Sequence, residues 1–557
     1  MLDGWRLVMV IRLLCREWRI VLFMLCACAI PPASLRAQDC ASCHDQSQKL
    51  PKSAHAALSC DTCHSDHDKF PHPADAIKPE CGTCHADEAA DYARSVHGVT
   101  AKKGNEAADC SVCHGSAHEL IRPKSTEFRA TTPDTCGKCH SGVVAQYKAS
   151  VHGQAVARGV AQAPLCSDCH GEHSIQRHTD KASPVSAGRI TETCSGCHGN
   201  VNLAKRFGMP SDRLVSFEAS FHGLAAKSGN QSVANCASCH GVHNILPSSD
   251  PKSTVNAQNL AATCGKCHAG AGQRFAISPV HILANQAEPI PVFWVRIVYL
   301  FLIPGVIGLM LAHNFGDWLR KVSRIRFAPV AAPVVPARAA KPEVRMLGFE
   351  RIEHAVLVIS FLVLGWTGFA LKYPDEWWAR PLLLWEGHWP VRSWIHRAAA
   401  VAFILVSAAH AVSIIVSPRL RRHWMELWPS MRDLREAIEN MAYNLGRGSV
   451  RPHRSAHSYV EKAEYWAVVW GALVMALTGL MLWANNLMLA LLPKMWLDVA
   501  TSVHFYEAVL ATLAIVVWHF YSVIFDPDVY PMDTAWFSGL SARKNEATPH
   551  EKKETPV

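Results

Sequence analysis

The cysteines carry the clearest chemistry in this sequence. Eighteen of the 21 cysteines occur in nine C-x-x-C-H motifs, in which a histidine directly follows the second cysteine. This is the attachment pattern of c-type haem: two thiols add to the porphyrin vinyl groups, and the histidine binds the iron. Zinc ribbons and disulfides are the alternatives, but zinc sites do not require a histidine after every second cysteine. The sequence therefore predicts nine covalent haem c groups, attached by Cys40, Cys43 and His44; Cys60, Cys63 and His64; Cys81, Cys84 and His85; Cys110, Cys113 and His114; Cys136, Cys139 and His140; Cys166, Cys169 and His170; Cys194, Cys197 and His198; Cys236, Cys239 and His240; and Cys264, Cys267 and His268.

Nine further histidines are candidates for the second axial position of these haems. Five stand in a recurring S-x-H setting or its variants: His55, His97, His152, His222 and His281. Four follow a motif histidine by three or four residues: His67, His118, His173 and His243. The matching number predicts bis-histidine iron throughout, with a histidine just beyond a motif ligating a neighbouring haem. Iron with both axial positions filled passes electrons and binds no substrate, which argues against a haem-centred reductase.

The region that holds the motifs, residues 38–290, is internally repeated and poor in large apolar residues. The segment R-S-V-H-G at 94–98 recurs as A-S-V-H-G at 149–153 and as A-S-F-H-G at 219–223. All 18 tryptophans of the chain lie outside this region. Covalent haems must therefore supply most of the apolar interior. We expect stacked units of short helices and long loops, with little sheet.

Five apolar stretches are long enough to span a bilayer, at 291–313, 349–372, 394–417, 464–486 and 501–525. Basic residues concentrate in the loops 314–348 and 418–463 and in the C-terminal tail. The positive-inside rule therefore predicts a cytoplasmic C-terminus and a periplasmic haem region in a bacterial inner membrane. Residues 1–37 have the layout of a secretory signal peptide. A lipoprotein-type site at Cys26 or Cys28 and an uncleaved anchor stay open.

Six histidines lie at or within the spans: His313, His354, His396, His410, His504 and His519. Ionisable groups inside a membrane are costly and are usually functional. His396 and His410, and likewise His504 and His519, are separated by about 21–22 Å along a helix. Histidines at two depths predict two stacked b-type haems. Helix packing is the alternative role for His313 and for one of His354 and His410.

Residues 345–540 resemble the b-type cytochrome subunits of formate dehydrogenases and nickel–iron hydrogenases. The likeness rests on R-I-E-H at 351–354, I-H-R at 395–397, Y-N at 443–444, E-Y-W at 464–466, T-G at 367–368 and 478–479, and the histidines at 504 and 519. It implies a four-helix bundle with two bis-histidine b haems and a quinone site. It further implies that His354 pairs with His519 near the cytoplasm and His396 with His504 near the periplasm; His410 competes with His354.

The order of the two regions is similar to that of the CbcL-type fusions of metal-reducing bacteria, which join a multihaem c-type domain to such a b-type module. The haem count and D-P-D-V-Y-P-M-D at 526–533 add to this likeness. It implies an inner-membrane menaquinol oxidoreductase. The expected fold is mainly α, loop-rich and haem-packed in its c-type part, with five transmembrane helices of which the last four form a dihaem cytochrome b bundle. The expected order is signal peptide 1–37, periplasmic nine-haem domain 38–290, anchor helix 291–313, cytoplasmic Pro/Ala-rich linker 314–344, cytochrome b domain 345–540 and cytoplasmic tail 541–557.

The predicted function is that of a quinol dehydrogenase, in which electrons pass from menaquinol through two b haems and nine c haems to periplasmic c-type cytochromes or other acceptors. An electron-transfer hub without its own quinone site and a periplasmic multihaem reductase are the alternatives. The sequence has no P-loop and no dinucleotide fingerprint, and no cysteine after residue 37 lies outside the haem motifs. These features argue against direct oxidation of NADH or hydrogen. The sequence also lacks the concentrated basic face of a nucleic-acid binder.

Quinol oxidation needs a proton acceptor within hydrogen-bond reach of the quinol hydroxyl. Since electrons are expected to leave on the periplasmic side, two stacked haems are needed only if the quinol is oxidised near the cytoplasm. The candidates there are Tyr443, Asn444, Lys462 and Glu464, with Glu464 as proton acceptor and Asn444 orienting the ring oxygen. A helix-start role favoured by the macrodipole is an equally open interpretation of Glu464. Glu507 is the periplasmic rival.

Overall fold

The structure of the protein is a computed structural model, which describes residues 40–64, 79–272, 281, 289–327, 345–384, 390–447 and 458–540. Within these ranges the chain forms helices and loops without a β-sheet, which confirms the mainly α class. The chain divides into two compact units, Met1–Ser186 and Ala187–Val557. Residues 187–290 therefore cluster with the membrane helices, although the sequence placed the boundary at 290. The predicted signal peptide, His67, the C-terminal tail and residues 328–344 of the predicted linker lie outside the described residues.

The first unit is built from short helices, several of which coincide with the haem motifs. Its α-helices are α1 (Gln46–Lys49), α2 (Ala86–Arg94), α3 (Val96–Lys102), α4 (Cys110–His114), α5 (Thr126–Gly137), α6 (Ser141–Ala149), α7 (Val151–Ala157) and α8 (Cys166–His170). Among the residues described in this unit, the buried apolar side chains are Val144, Ala163 and Leu165. So small an apolar core cannot hold a unit of this size together unaided, which agrees with the expectation that haems fill its interior.

The second unit begins with similar short helices and continues into the long apolar ones. The short helices are α9 (Ile190–His198), α10 (Val201–Arg206), α11 (Arg213–Ala219), α12 (Phe221–Lys227), α13 (Cys236–His240) and α14 (Leu260–Gly265). The remaining helices are α15 (Ile290–Phe327), α16 (Gly348–Lys372), α17 (Arg380–Leu383), α18 (Val391–Val416), α19 (Pro418–Met425), α20 (Met431–Asn444), α21 (Tyr459–Trp483), α22 (Asn485–Leu491), α23 (Lys494–Ala514) and α24 (Ala535–Ser538). Two π-helical turns, Ile515–His519 and Tyr521–Phe525, extend α23.

Five helices are long and apolar enough to cross a membrane, as the sequence predicted. The spans are Ile290–Ser323, Gly348–Lys372, Val391–Val416, Tyr459–Trp483 and Lys494–Phe525. Helix α16 packs along α18, and α21 packs along α23. Helix α15 packs against α23 and α20, so the first span is part of the helical bundle and is more than a separate anchor.

Helix α15 is longer than the sequence analysis predicted. It ends at Phe327, so residues 314–327, which were assigned to the cytoplasmic linker, are helical. The physical reason is a polar row on one face of the helix, spaced three and four residues apart. The Asn314 amide donates to the Val517 carbonyl at 2.6 Å, Asp317 accepts from the Tyr521 hydroxyl at 2.8 Å, and Lys321 donates to Asp526 at 2.6 Å. These buried contacts hold the extra turns on the bundle.

Candidate haem and quinone sites

The recurring S-x-H-G segment folds as a helix start that presents its histidine in the same way each time. In the first copy, the Ser95 hydroxyl accepts from the Gly98 amide at 3.0 Å and donates to the Tyr92 carbonyl at 2.7 Å. Ser150 and Ser220 make the same two bonds in the later copies. The serine is thus an N-cap, which satisfies a free amide of the first helical turn. The cap joins two consecutive helices at a fixed corner, and the histidine is the second residue beyond the serine.

The glycine of this segment is required by close approach of the backbone. A Cβ atom added to Gly153 would lie 2.1 Å from the Tyr147 carbonyl oxygen, and Gly98 and Gly223 have the same contact with their own neighbours. We therefore expect Gly153→Ala to destabilise the protein by about 1–3 kcal/mol or more, because the corner must open. Thermal unfolding of the full-length protein in detergent measures the effect.

Gly142→Ala is the matched control for this prediction. Gly142 lies in the neighbouring helix α6, and a Cβ atom there would meet nothing within 4 Å. Alanine is favoured over glycine inside a helix by roughly 0.5–1 kcal/mol, so this variant should be as stable as the parent or slightly more so. Equal unfolding temperatures for the two variants would show that the corner does not need glycine.

In the first unit, four motif histidines each face a candidate axial histidine. The ring centroids are 6.2 Å apart in His55–His85, 6.1 Å in His64–His118, 6.3 Å in His97–His140 and 6.1 Å in His114–His173. An iron between two imidazoles requires about 6 Å, since each side contributes a metal–nitrogen bond of about 2 Å and roughly 1 Å to the ring centre. The gaps therefore fit a bis-histidine iron.

Two further pairs with the same spacing lie in the second unit. His222 faces His268 at 6.1 Å and His240 faces His281 at 6.4 Å. Burial, followed by the facing ring, lowers the pKa of His222 and of His240. Neutral imidazole is the form that binds metal, and a lowered pKa favours that form.

The pairs follow a regular pattern along the sequence. Three histidines of the S-x-H segments face a motif histidine further along the chain, as in His97–His140 and His222–His268, whereas His281 faces the earlier motif histidine His240. Histidines just beyond a motif face an earlier motif instead of their own, as His118 does with His64. In this arrangement, such a histidine would ligate the iron of a neighbouring haem and not the iron of its own motif. Ligation at these pairs and at the other candidate positions stays a prediction; the remaining motif histidines are His44, His170 and His198, with candidates His152 and His243.

The membrane helices contain two histidine pairs of the same kind. His354 faces His519 at a ring-centroid distance of 6.4 Å, and His396 faces His504 at 6.5 Å. The structure thus brings together the residues that the resemblance paired. Within each pair, one histidine comes from the α16–α18 side and one from α23 or the π-helical turn that extends it. A π-helical turn at His519 is typical of a functional position in a helix.

The two T-G motifs explain how the second of these pairs is oriented. The Thr367 hydroxyl lies 2.8 Å from Nδ1 of His396, and the Thr478 hydroxyl lies 2.9 Å from Nδ1 of His504. Each hydroxyl also donates to a carbonyl in its own helix, so it accepts from the imidazole and leaves Nε2 for the iron. Both threonines belong to the T-G motifs of the resemblance, to which no role was given. They precede their histidines by 29 and 26 residues, and this similar spacing was the available signal.

The Glu464 carboxylate, predicted to accept a quinol proton, is already hydrogen-bonded to side chains of the protein. One carboxylate oxygen lies 3.2 Å from Nδ1 of His519, and the other accepts from the Ser522 hydroxyl at 3.1 Å. A carboxylate on Nδ1 fixes the tautomer of a ligating histidine and raises its basicity. Glu464 is therefore placed to position His519, and it still lies at the predicted cytoplasmic pair.

The two other membrane histidines bond to side chains other than histidine. His410 lies 3.0 Å from Glu353 through Nδ1 and 3.2 Å from the Tyr465 hydroxyl through Nε2. His313 lies 2.6 Å from the Tyr459 hydroxyl through Nε2. Both nitrogens of His410 are thus engaged, which favours His354 in the competition for the cytoplasmic haem. The helix-packing interpretation fits His313.

Asn444 has the surroundings expected of a ligand-binding residue. Its side-chain amide is buried, and neither its oxygen nor its nitrogen has a hydrogen-bond partner among the described residues. Buried polar groups without partners are rare and require an explanation such as an unseen ligand. The residue packs against Gly316 of α15, where an added Cβ atom would lie 3.1 Å from Asn444 Cβ. The preceding Tyr443 is held by Arg320, whose Nε donates to the Tyr443 carbonyl at 3.0 Å.

The other predicted quinone contacts are already paired. Lys462 donates to Asp433 at 2.8 Å. Burial alone would raise the pKa of Asp433, but the hydrogen bonds from Lys462 and Ser430 outweigh it and lower that pKa. Glu507 accepts from the Tyr299 hydroxyl at 2.8 Å and is buried. Lys462 therefore fits a structural ion pair, whereas both polar atoms of the Asn444 side chain are without a partner in the part of the chain that the structure describes.

The C-terminal helices form a membrane module in which two pairs of histidines face each other. Residues 345–532 match the family model described as prokaryotic cytochrome b561. This match covers the C-terminal part of the chain, which includes all four histidines of the two membrane pairs, and it indicates similarity to a membrane b-type cytochrome there. No curated protein and no solved structure matches the chain in these comparisons.

Proposed function

We propose that the protein is an inner-membrane quinol dehydrogenase that passes electrons from menaquinol through two b haems and nine c haems to periplasmic electron carriers. The observation that carries this proposal is the set of eight facing histidine pairs found among the described residues, with ring centroids between 6.1 and 6.5 Å apart. Six pairs include a C-x-x-C-H histidine and two lie in the membrane module. One chain thus holds sites for electron carriers both in the membrane and outside it.

The residues present fit the implied cofactors. At each c-type motif the two cysteines would attach the porphyrin as thioethers, and the paired histidines would fill both axial positions. In the membrane module His354 with His519, and His396 with His504, would hold the two b haems without covalent attachment. When bound, these groups supply reversible one-electron chemistry at iron. The chain's own contribution is the spacing of the imidazoles and, in the membrane module, the acceptors on Nδ1 of His396, His504 and His519.

The proposed sidedness follows from the basic loops. The C-terminus and the basic loops that precede α16 and α21 would face the cytoplasm, and the c-type motifs the periplasm. In this orientation, the His354–His519 pair is near the cytoplasm. A quinol oxidised there releases two protons and two electrons, and the electrons must cross the membrane to reach the c-type motifs.

The proposed quinone site lies at the cytoplasmic end of the bundle, around Asn444. The free Asn444 amide can donate to or accept from a quinol oxygen, and α15 forms one wall of the site through Gly316 and Arg320. Glu464 would take a quinol proton while its second oxygen keeps His519 in place. The partners of the protein would be the membrane quinone pool, which supplies electrons, and periplasmic c-type cytochromes or other acceptors, which receive them.

Asn444→Leu tests this site with little risk to the fold. Because the amide makes no hydrogen bond to the described protein, an isosteric apolar residue should leave the unfolding temperature unchanged. Loss of a hydrogen bond to the quinol costs about 1–3 kcal/mol, so we expect KM for a menaquinol analogue to rise about tenfold or more. Haem reduction by the quinol in purified protein measures the effect. Unchanged kinetics would remove Asn444 from the site.

Glu464→Gln and Glu507→Gln decide which side of the membrane takes the proton. Glu464→Gln should slow quinol-driven haem reduction about tenfold or more, the low end of acid–base contributions, with haem content unchanged. Glu507→Gln should keep the parent rate. The opposite result would place the quinone site at the periplasmic end, beside Tyr299. If quinol reduces no haem in the parent protein, the hub without quinone chemistry replaces the present proposal.

A further inference from the structure

One c-type motif of the second unit is packed on the loops of the membrane module. The Nδ1 atom of His268 lies 3.1 Å from the side-chain oxygen of Asn486, in the short helix α22 that joins two membrane helices. Two residues beyond His268, a Cβ atom on Gly270 would lie 3.7 Å from Ala490 of the same helix. The proximal side of this predicted haem site therefore rests on the membrane module.

The axial partner of the same pair also contacts the membrane module. His222 belongs to α12, which packs against the membrane helix α16. At the end of α12, the Lys227 ammonium lies 3.5 Å from Asp375, just beyond α16. Lys494, the first residue of α23, acts electrostatically on both His222 and Cys264. Both iron ligands of this pair are thus carried by segments that touch the loops of the b-type module.

The other histidine pair described in this unit has different surroundings. In the His240–His281 pair, Nδ1 of His281 lies 3.0 Å from the Arg213 carbonyl and 3.1 Å from the Ser216 hydroxyl. These partners belong to α11, within the c-type segment itself. Of these two pairs, the described bonds link His268 of the Cys264–Cys267 motif to the membrane module and link His281 to the c-type segment.

We propose that the haem attached to Cys264 and Cys267 is the port through which electrons pass between the membrane module and the c-type haems, and that Asn486 is a positioning residue for it. This inference rests on the proposed function for the presence of the haems. The amide oxygen of Asn486 accepts from Nδ1–H of His268, which fixes the tautomer and turns Nε2 toward the iron. An acceptor on Nδ1 also makes the imidazole a stronger ligand, which favours the oxidised iron.

Variants of Asn486 should shift the midpoint potential of one c haem in opposite directions, which a purely structural contact would not do. Asn486→Leu removes the acceptor, so the midpoint potential of one c haem should rise. Asn486→Asp provides a stronger acceptor, so the same potential should fall. Asn485→Leu, at the neighbouring position of α22, should leave the midpoint potentials of all c haems unchanged. Redox titration of the full-length protein with chemical mediators measures these potentials without any quinone. Shifts of the same sign for Asn486→Leu and Asn486→Asp, or no shift, would overturn the role of Asn486.

Removing individual haems tests the port itself. The double variant Cys264→Ser, Cys267→Ser should leave the b haems reducible, while transfer to the remaining c haems slows about tenfold or more. The matched variant Cys236→Ser, Cys239→Ser should keep rapid reduction of at least one c haem. Rapid b-to-c transfer without the Cys264 haem would refute the port. The b haems are reduced chemically in this experiment, so failure of quinol oxidation is detected separately and does not change the result.

Discussion

Replacing His504 with alanine should remove one of the two b haems and abolish quinol-driven reduction of the c haems. The b haems are held only by coordination and packing, and His504 faces His396 at 6.5 Å across the predicted iron position. The nine proposed c-type haems should remain, because cysteines would hold them covalently. A haemochrome assay that separates b-type from c-type haem, followed by stopped-flow reduction with a quinol analogue, measures both effects.

His410→Ala is the matched control for the loss of the b haem. His410 is also an intramembrane histidine, but it bonds to Glu353 and Tyr465. This variant should keep both b haems. A parent protein without b haem, or loss of a b haem from His410→Ala but not from His504→Ala, would contradict the assignment of the four ligands.

Replacing Lys321 with methionine should destabilise the membrane module by about 3–5 kcal/mol, the cost of leaving a buried charge without its partner. Lys321 is 4% exposed and lies 2.6 Å from both Asp317 and Asp526, which are themselves buried. Methionine fills a similar volume but leaves these two carboxylates uncompensated. The unfolding temperature of the detergent-solubilised protein and the retention of haem b on heating measure the loss.

An exposed ion pair in the same module provides the comparison. Arg435 lies 2.8 Å from Glu439 on helix α20, but its side chain is 81% exposed. Arg435→Met should therefore cost less than about 1 kcal/mol. Equal unfolding temperatures for Lys321→Met and Arg435→Met would show that the ion pairs of Lys321 with Asp317 and Asp526 do not hold α15 on the bundle.

The five membrane spans of the fold could be predicted from the sequence. Each of the five spans needs about 20 apolar residues, and such a run is visible without tertiary information. His504 and His519 could be predicted because they stand at two depths of one helix, which is a local pattern. Their pairing with His354 and His396 came from the resemblance, since His410 fits the same local pattern but contacts Glu353 and Tyr465. Each C-x-x-C-H motif is also a local pattern that can be recognised without tertiary information.

Other features depended on contacts between residues distant in the sequence. The bond between Glu464 and His519 joins residues 55 positions apart, so the sequence showed a carboxylate near the cytoplasmic end but not its partner. The length of α15 was missed because Asn314, Asp317 and Lys321 look like loop residues until their buried partners are known. The order in which S-x-H histidines face the motifs is likewise set by how the repeats stack.

In the proposed electron path, the covalent connection of α15 to the last c-type motif in one chain would change the kinetics of electron exchange. Two separate cytochromes would meet by diffusion, at a second-order rate that varies with their concentrations and with ionic strength. A covalent connection sets a local concentration on the order of millimolar, whatever the amount of protein in the membrane. Transfer between the membrane module and the segment that precedes α15 thus becomes a first-order event. Dilution of the protein into lipid and added salt should leave its rate constant unchanged.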